Sequence, residues 1–69
     1  MLTYKLVFKD NNVLRYVYYP EGKGDAGIIE FINGQGRIIK ESADDFEGFY
    51  ASHAFYIDLS REKGTIAWY

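Results

Sequence analysis

Hydrophobic and polar positions change period along this chain, and the changes divide it into elements. Residues 3–9 alternate, with Tyr4, Leu6 and Phe8 on one side and Thr3, Lys5, Val7 and Lys9 on the other. A period of two with one polar face predicts a half-buried strand. Asp10-Asn11-Asn12 is turn chemistry, since Asn tolerates left-handed backbone angles. Residues 13–19 then predict the second strand of a hairpin, apolar or aromatic on both faces apart from Arg15. A strand of that kind is central, or has one face covered by something other than a helix.

Pro20 ends that strand, because it cannot donate to a ladder. The glycine-rich stretch 20–27 follows as a flexible loop. Residues 27–32 and 37–41 predict a third and a fourth strand around Asn33-Gly34-Gln35-Gly36, a hairpin signal. If Asn33-Gly34 are the turn residues, Glu30 faces Arg37 and Ile29 faces Ile38. Charges then pair on one face and apolar groups on the other, which specifies register.

From Ser42 to Gly64 the period lengthens. Phe46, Phe49, Tyr50, His53, Tyr56 and Ile57 recur at steps of three and four, which predicts one long amphipathic helix. Ser42 stands at the N-cap position, and Asp45 answers it as a variant capping box. Asp44, Asp45 and Glu47 open this stretch, and Arg61 and Lys63 close it, in keeping with the helix dipole. Residues 65–69, with Ile66 and Trp68, predict a fifth strand. The expected fold is α+β: one domain over residues 1–69, in the order ββββαβ. Its sheet is mainly antiparallel, five-stranded, in order 5-1-2-3-4, with one helix packed across a face. A right-handed return beside the fourth strand is the other topology.

Composition adds limits. Aromatics make up 19% of the chain, with seven Tyr and five Phe. Each buries about 150–250 Å², so core filling in a small domain explains them first. There is no Cys, hence no disulfide and no thiolate metal site. No apolar run reaches the ~18 residues of a membrane helix, and no signal-like segment opens the chain. Cytoplasmic localisation is the expectation. The net charge of −2 speaks against a nucleic-acid partner, whose binding leans on phosphate neutralisation.

Candidate chemistry is sparse. His53 is the only histidine, and its setting in the apolar stripe predicts a partly buried side chain bonded to a Tyr hydroxyl or a backbone carbonyl. No Ser or Cys nucleophile is identifiable beside it, and one His makes a poor metal site. Asp44, Asp45, Glu47 and Asp58 lack a cleft between them for carboxylate catalysis. The loop Gly22-Lys23-Gly24 lacks the Walker pattern and does not open onto a helix. The expectation is no catalytic residue, no metal and no cofactor.

The helix has a second face. Gly48, Ala51, Ser52, Phe55 and Leu59 lie opposite the stripe if the helix is continuous. Small residues leading to Phe and Leu predict an interaction surface where two helices meet. The favoured reading is a small non-enzymatic protein-interaction module, self-associating as a homodimer through this strip, or receiving an unknown protein there. The alternative is a binder of single-stranded nucleic acid or another planar ligand. It would use an aromatic sheet face made by Tyr4, Phe8, Tyr16, Tyr18, Tyr19 and Phe31.

The segments Tyr18-Tyr19-Pro20-Glu21-Gly22-Lys23-Gly24, Ser52-His53-Ala54 and Gly64-Thr65-Ile66-Ala67-Trp68-Tyr69 resemble a family of short bacterial hypothetical proteins. The resemblance spans most of the chain. It implies a bacterial cytoplasmic protein and brings no activity, ligand or catalytic residue with it.

Overall fold

A computed structural model describes residues 1–45 and 48–67. The elements run β1 (Leu2–Asp10), β2 (Val13–Pro20), β3 (Gly27–Ile32), β4 (Gln35–Lys40), α1 (Phe49–Ala54) and β5 (Lys63–Ile66). The five strands form one sheet in the order β4-β3-β2-β1-β5, and every pairing is antiparallel. This is the expected α+β architecture, with the last strand beside the first.

The Asn33-Gly34 turn sets the register as its chemistry requires. Both residues have positive φ, 52° and 83°, as a two-residue hairpin of the favoured twist demands. Glu30 stands opposite Arg37, and Ile29 opposite Ile38. The Asn11-Asn12 turn works differently. Neither residue takes a positive φ, so the left-handed tolerance of Asn is not what makes that turn.

Pairing places Leu2, Tyr4, Leu6, Tyr16, Tyr18, Ile29, Phe31 and Ile38 on one face, where α1 packs. Leu2, Tyr16, Tyr18 and Ile29 have no exposed surface, and Ala51, Ala54 and Ile57 close the core from above. β1 departs from simple alternation. Its register shifts between Leu6 and Phe8, so Phe8 pairs with Arg15. A bulge adds one residue and turns the side chains beyond it to the other face. Phe8 therefore leaves the core side on which the alternation had placed it.

The helix is six residues long, not the stretch from Ser42 to Gly64. Gly48 precedes it with φ 76°, a left-handed residue that a right-handed helix cannot run through. Ser42 is not a helix cap. It is buried, its hydroxyl donates to the Asp25 carbonyl, and its carbonyl closes a turn with the Asp45 amide at 3.1 Å. The Asp45 carboxylate instead reaches past Gly48 and accepts from the amides of Tyr50 (2.8 Å) and Ala51 (3.0 Å). Downstream, the Asp58 carboxylate accepts from the Ser60 amide and hydroxyl, and the Arg61 amide donates to the Asp58 carbonyl. Asp and Ser offer the backbone these local bonds in place of a helical ladder. Phe46 and Trp68, expected in the helical stripe and the last strand, lie outside the described residues.

Candidate functional site: the open face of the sheet

The sheet has a second face on which no described element packs. Its side chains follow from the pairing. One row runs Gln35, Ile32, Val13 and Asp10, the next Arg37, Glu30, Arg15 and Phe8. A third runs Lys40, Ile28, Val17, Lys5 and Lys63, and the last Tyr19, Thr3 and Thr65. Val13, Val17 and Ile28 are half-buried by their neighbours. Phe8 and Ile32 remain 44% and 42% exposed. Ile39, at the register shift of β4, and Val7, at the bulge of β1, add exposed apolar surface at the edges of the rows.

β2 is the middle strand, which accounts for its apolar side chains on both faces. One set meets the helix. The other set, Val13, Val17 and Tyr19, meets nothing described. The apolar residues of this face fall in two pairs, Ile32 with Val13 and Ile28 with Val17, with the Glu30–Arg15 row between them, and apolar surface flanked by polar groups is the composition of an interaction site.

At the centre lies an ion pair. Glu30 is 7% exposed and accepts from Arg15 Nη2 at 2.7 Å and Nε at 3.1 Å. The Arg15 guanidinium also sits 5.1 Å from the Phe8 ring centroid, within the range of a cation–π contact. Two bonds to one carboxylate and a ring beneath fix the arginine in place.

The charges on this face have one sign in excess. Lys5, Arg15, Arg37, Lys40 and Lys63 project from it, Lys40 paired with Asp25 of the preceding loop, against Glu30, already paired, and Asp10 at a strand end. The acidic groups Glu21, Asp25, Asp44, Asp45, Asp58 and Glu62 all lie in connections between elements.

A cleft of about 440 Å³ opens at the β2-β1-β5 side, bounded by Thr3, Tyr4, Lys5, Tyr19, Arg61, Lys63, Gly64 and Thr65. The chain matches no family model, no curated protein and no solved structure. What this face does has to be read from its own chemistry.

The residues expected to form a helical strip are not aligned on one. Gly48 is the left-handed residue before α1, and among the described residues a Cβ there would touch only Glu41. Its φ of 76° is a backbone reason for glycine at this position. Ala51 is 5% exposed and faces the core. Ser52 is exposed, its hydroxyl donating to the Phe49 carbonyl at 2.7 Å. Phe55 follows the last helical residue, and its ring lies close over Gly36 of β4. Leu59 sits beyond the helix, packed partly on the core.

The aromatic platform is likewise divided. Tyr4, Tyr16, Tyr18 and Phe31 are core residues, and only Phe8 and Tyr19 stand on the open face. His53 Nδ1 bonds the Phe49 carbonyl at 2.8 Å, with the Phe49 ring 4.9 Å away. That is the backbone-carbonyl arrangement expected of it. No helix among the described residues is long and apolar enough to cross a membrane.

Proposed function

We propose that this protein is a small non-enzymatic protein-interaction module that receives its partner on the open face of the sheet. The observation that carries this reading is β2, the middle strand, apolar on both faces with only one of them covered by the described residues. The partner is another protein, with an apolar surface rimmed by carboxylates. Ile28, Ile32, Val13 and Val17 supply a surface that aliphatic and aromatic side chains can dehydrate. Lys5, Arg37 and Lys63 around them favour an acidic rim, through orientation and encounter rate more than affinity.

Charge disfavours a second copy in this place. Two such faces brought together would oppose cations to cations. A basic face against the acidic connections of another copy would be head to tail, which builds a ring or a filament and not the two-fold dimer expected of the helical strip. Nucleic acid has less support than protein, because four of the six rings that would stack bases are in the core.

Wild type is expected to sediment as a monomer at micromolar concentration. Capture experiments with Ile32→Glu and Phe55→Glu then map the surface. A partner retained by Phe55→Glu and weakened at least about tenfold by Ile32→Glu, as for loss of a central apolar anchor, supports the open face. Binding by the purified partner should fall with added salt. A wild-type dimer that Phe55→Glu dissociates would return the function to the helix side.

A further inference from the structure

The cleft at the β2-β1-β5 side brings like charges together on neighbouring strands. Lys5 and Lys63 stand directly opposite each other on paired strands. Like charges in that position are destabilising. Arg61 adds a third cation at the same cleft. Among the described residues none of the three has a carboxylate within ion-pair distance, as is so also of Lys9, Lys23 and Arg37, and the Arg61 charge acts on the Asp58 carboxylate only from further away. Thr3 and Thr65, also paired with each other, bring two hydroxyls to the rim, and Tyr19, opposite Thr3 on its other side, brings a ring.

We propose that this cleft binds a small phosphorylated ligand with a planar body. The phosphoryl group lies between Lys5 and Lys63, within reach of Arg61, and takes hydrogen bonds from the threonine hydroxyls. Charge-assisted bonds to ammonium and guanidinium groups are the strong ones available to a phosphate. The planar body lies against Tyr19, where ring stacking adds affinity without demanding a particular base or substituent. The depression, about 440 Å³ and open to solvent, has room for more than a phosphate, so a planar body can lie across it. This inference shares Lys5 and Lys63 with the rim of the protein-docking face proposed above but does not depend on it, because that reading rests on the apolar residues of the neighbouring rows.

The test is an NMR titration of the intact chain with inorganic phosphate, adenosine and AMP at low ionic strength. AMP is expected to give saturable shifts at the amides of Thr3, Lys5, Tyr19 and Thr65, phosphate weaker shifts at the same amides, and adenosine the weakest response. Lys5→Gln and Lys63→Gln should each weaken AMP by about tenfold or more, the loss of one hydrogen bond to a charged group. Each should also raise the melting temperature of the ligand-free protein, because each removes the opposed charge. Both lysines are on the sheet surface, so the variants stay folded. Ile32→Glu, which damages the protein-docking rows, should leave AMP binding unchanged. Three results overturn the proposal: no saturable shift with AMP, adenosine binding as well as AMP, or shifts spread over the whole surface. An oligonucleotide whose affinity grows with its length would overturn the small-ligand reading in favour of a nucleic-acid backbone.

Discussion

Tyr16 and Tyr18 are both fully buried, two residues apart on β2, and their hydroxyls are treated differently. Tyr16 donates to the Arg61 carbonyl at 2.8 Å. Tyr18 is buried with no hydrogen-bond partner of good geometry among the described residues, although the Ser42 amide approaches it. Burial raises the pKa of both hydroxyls above the usual tyrosine value. A buried hydroxyl that makes its bond contributes about 1 kcal/mol, and one that does not is a desolvation cost. Tyr16→Phe should therefore destabilise the fold by about 1 kcal/mol, and Tyr18→Phe should be neutral or stabilising. Paired urea titrations read the difference directly, and equal losses in the two variants would contradict it. Ring placement also explains glycines that sit inside strands. Tyr18 lies over Gly27, Tyr4 over Gly64 and Phe31 over Gly36, each ring covering the glycine paired with it. A Cβ on Gly64 would come within 2.5 Å of the Tyr4 hydroxyl oxygen. Gly64→Ala should cost about 1–3 kcal/mol by overpacking.

At the scale of elements, Gly48 separates two accounts of the helical segment. Inside a continuous helix, Gly48→Ala would stabilise by about 1 kcal/mol. At φ 76° the same change forces alanine into a left-handed conformation, which costs about 1–2 kcal/mol. A lower denaturation midpoint in Gly48→Ala supports the short helix, and a higher one supports the long helix. The strands were legible because alternation and Asn33-Gly34 state period and register locally. The helix limits were not. Phe49, Tyr50, His53, Tyr56 and Ile57 recur at helical steps whether or not the backbone between them is helical. The opposing signals were Gly48 in mid-segment and Asp58-Leu59-Ser60, which closes a turn through its own side chains. The bulge at Val7 left no compositional mark, so Phe8 was assigned to the wrong face. The open face was legible only as the two-sided apolarity of β2. Lys5 opposite Lys63 required knowing how β5 registers on β1, which no local pattern carries.

For the whole molecule, the acidic connections do structural work that the basic face does not share. The Asp25 carboxylate accepts from the Ala43 amide at 2.7 Å and has Lys40 nearby, and Asp44 returns the bond by accepting from the Asp25 amide at 2.6 Å. These bonds tie the loop after β2 to the segment before α1. The Ala43 bond, with the Lys40 charge, lowers the pKa of Asp25 below its ordinary 3.8. Glu21 is lowered from 4.5 by the terminal ammonium and by the Tyr50 hydroxyl, and Asp58 from 3.8 by its two bonds from Ser60. In each case the folded pKa lies below the unfolded one. The stabilisation is thus fully present above the unfolded values and is lost as pH falls through the folded ones. Melting temperature should be level from neutral pH down to about pH 5–6, one unit or so above the ordinary carboxylate values. It should fall progressively on further acidification. Asp25→Asn should lower the plateau and make the acid slope shallower, because the titrating group is gone. The groups are solvent-exposed, so added salt should reduce the Lys40 contribution while leaving the backbone bonds of Asp25 in place. The slope should therefore survive high salt in large part. A slope abolished by salt would assign the acid sensitivity to charge repulsion on the basic face, which loses its compensating carboxylates as they protonate, and not to the ties between the connections.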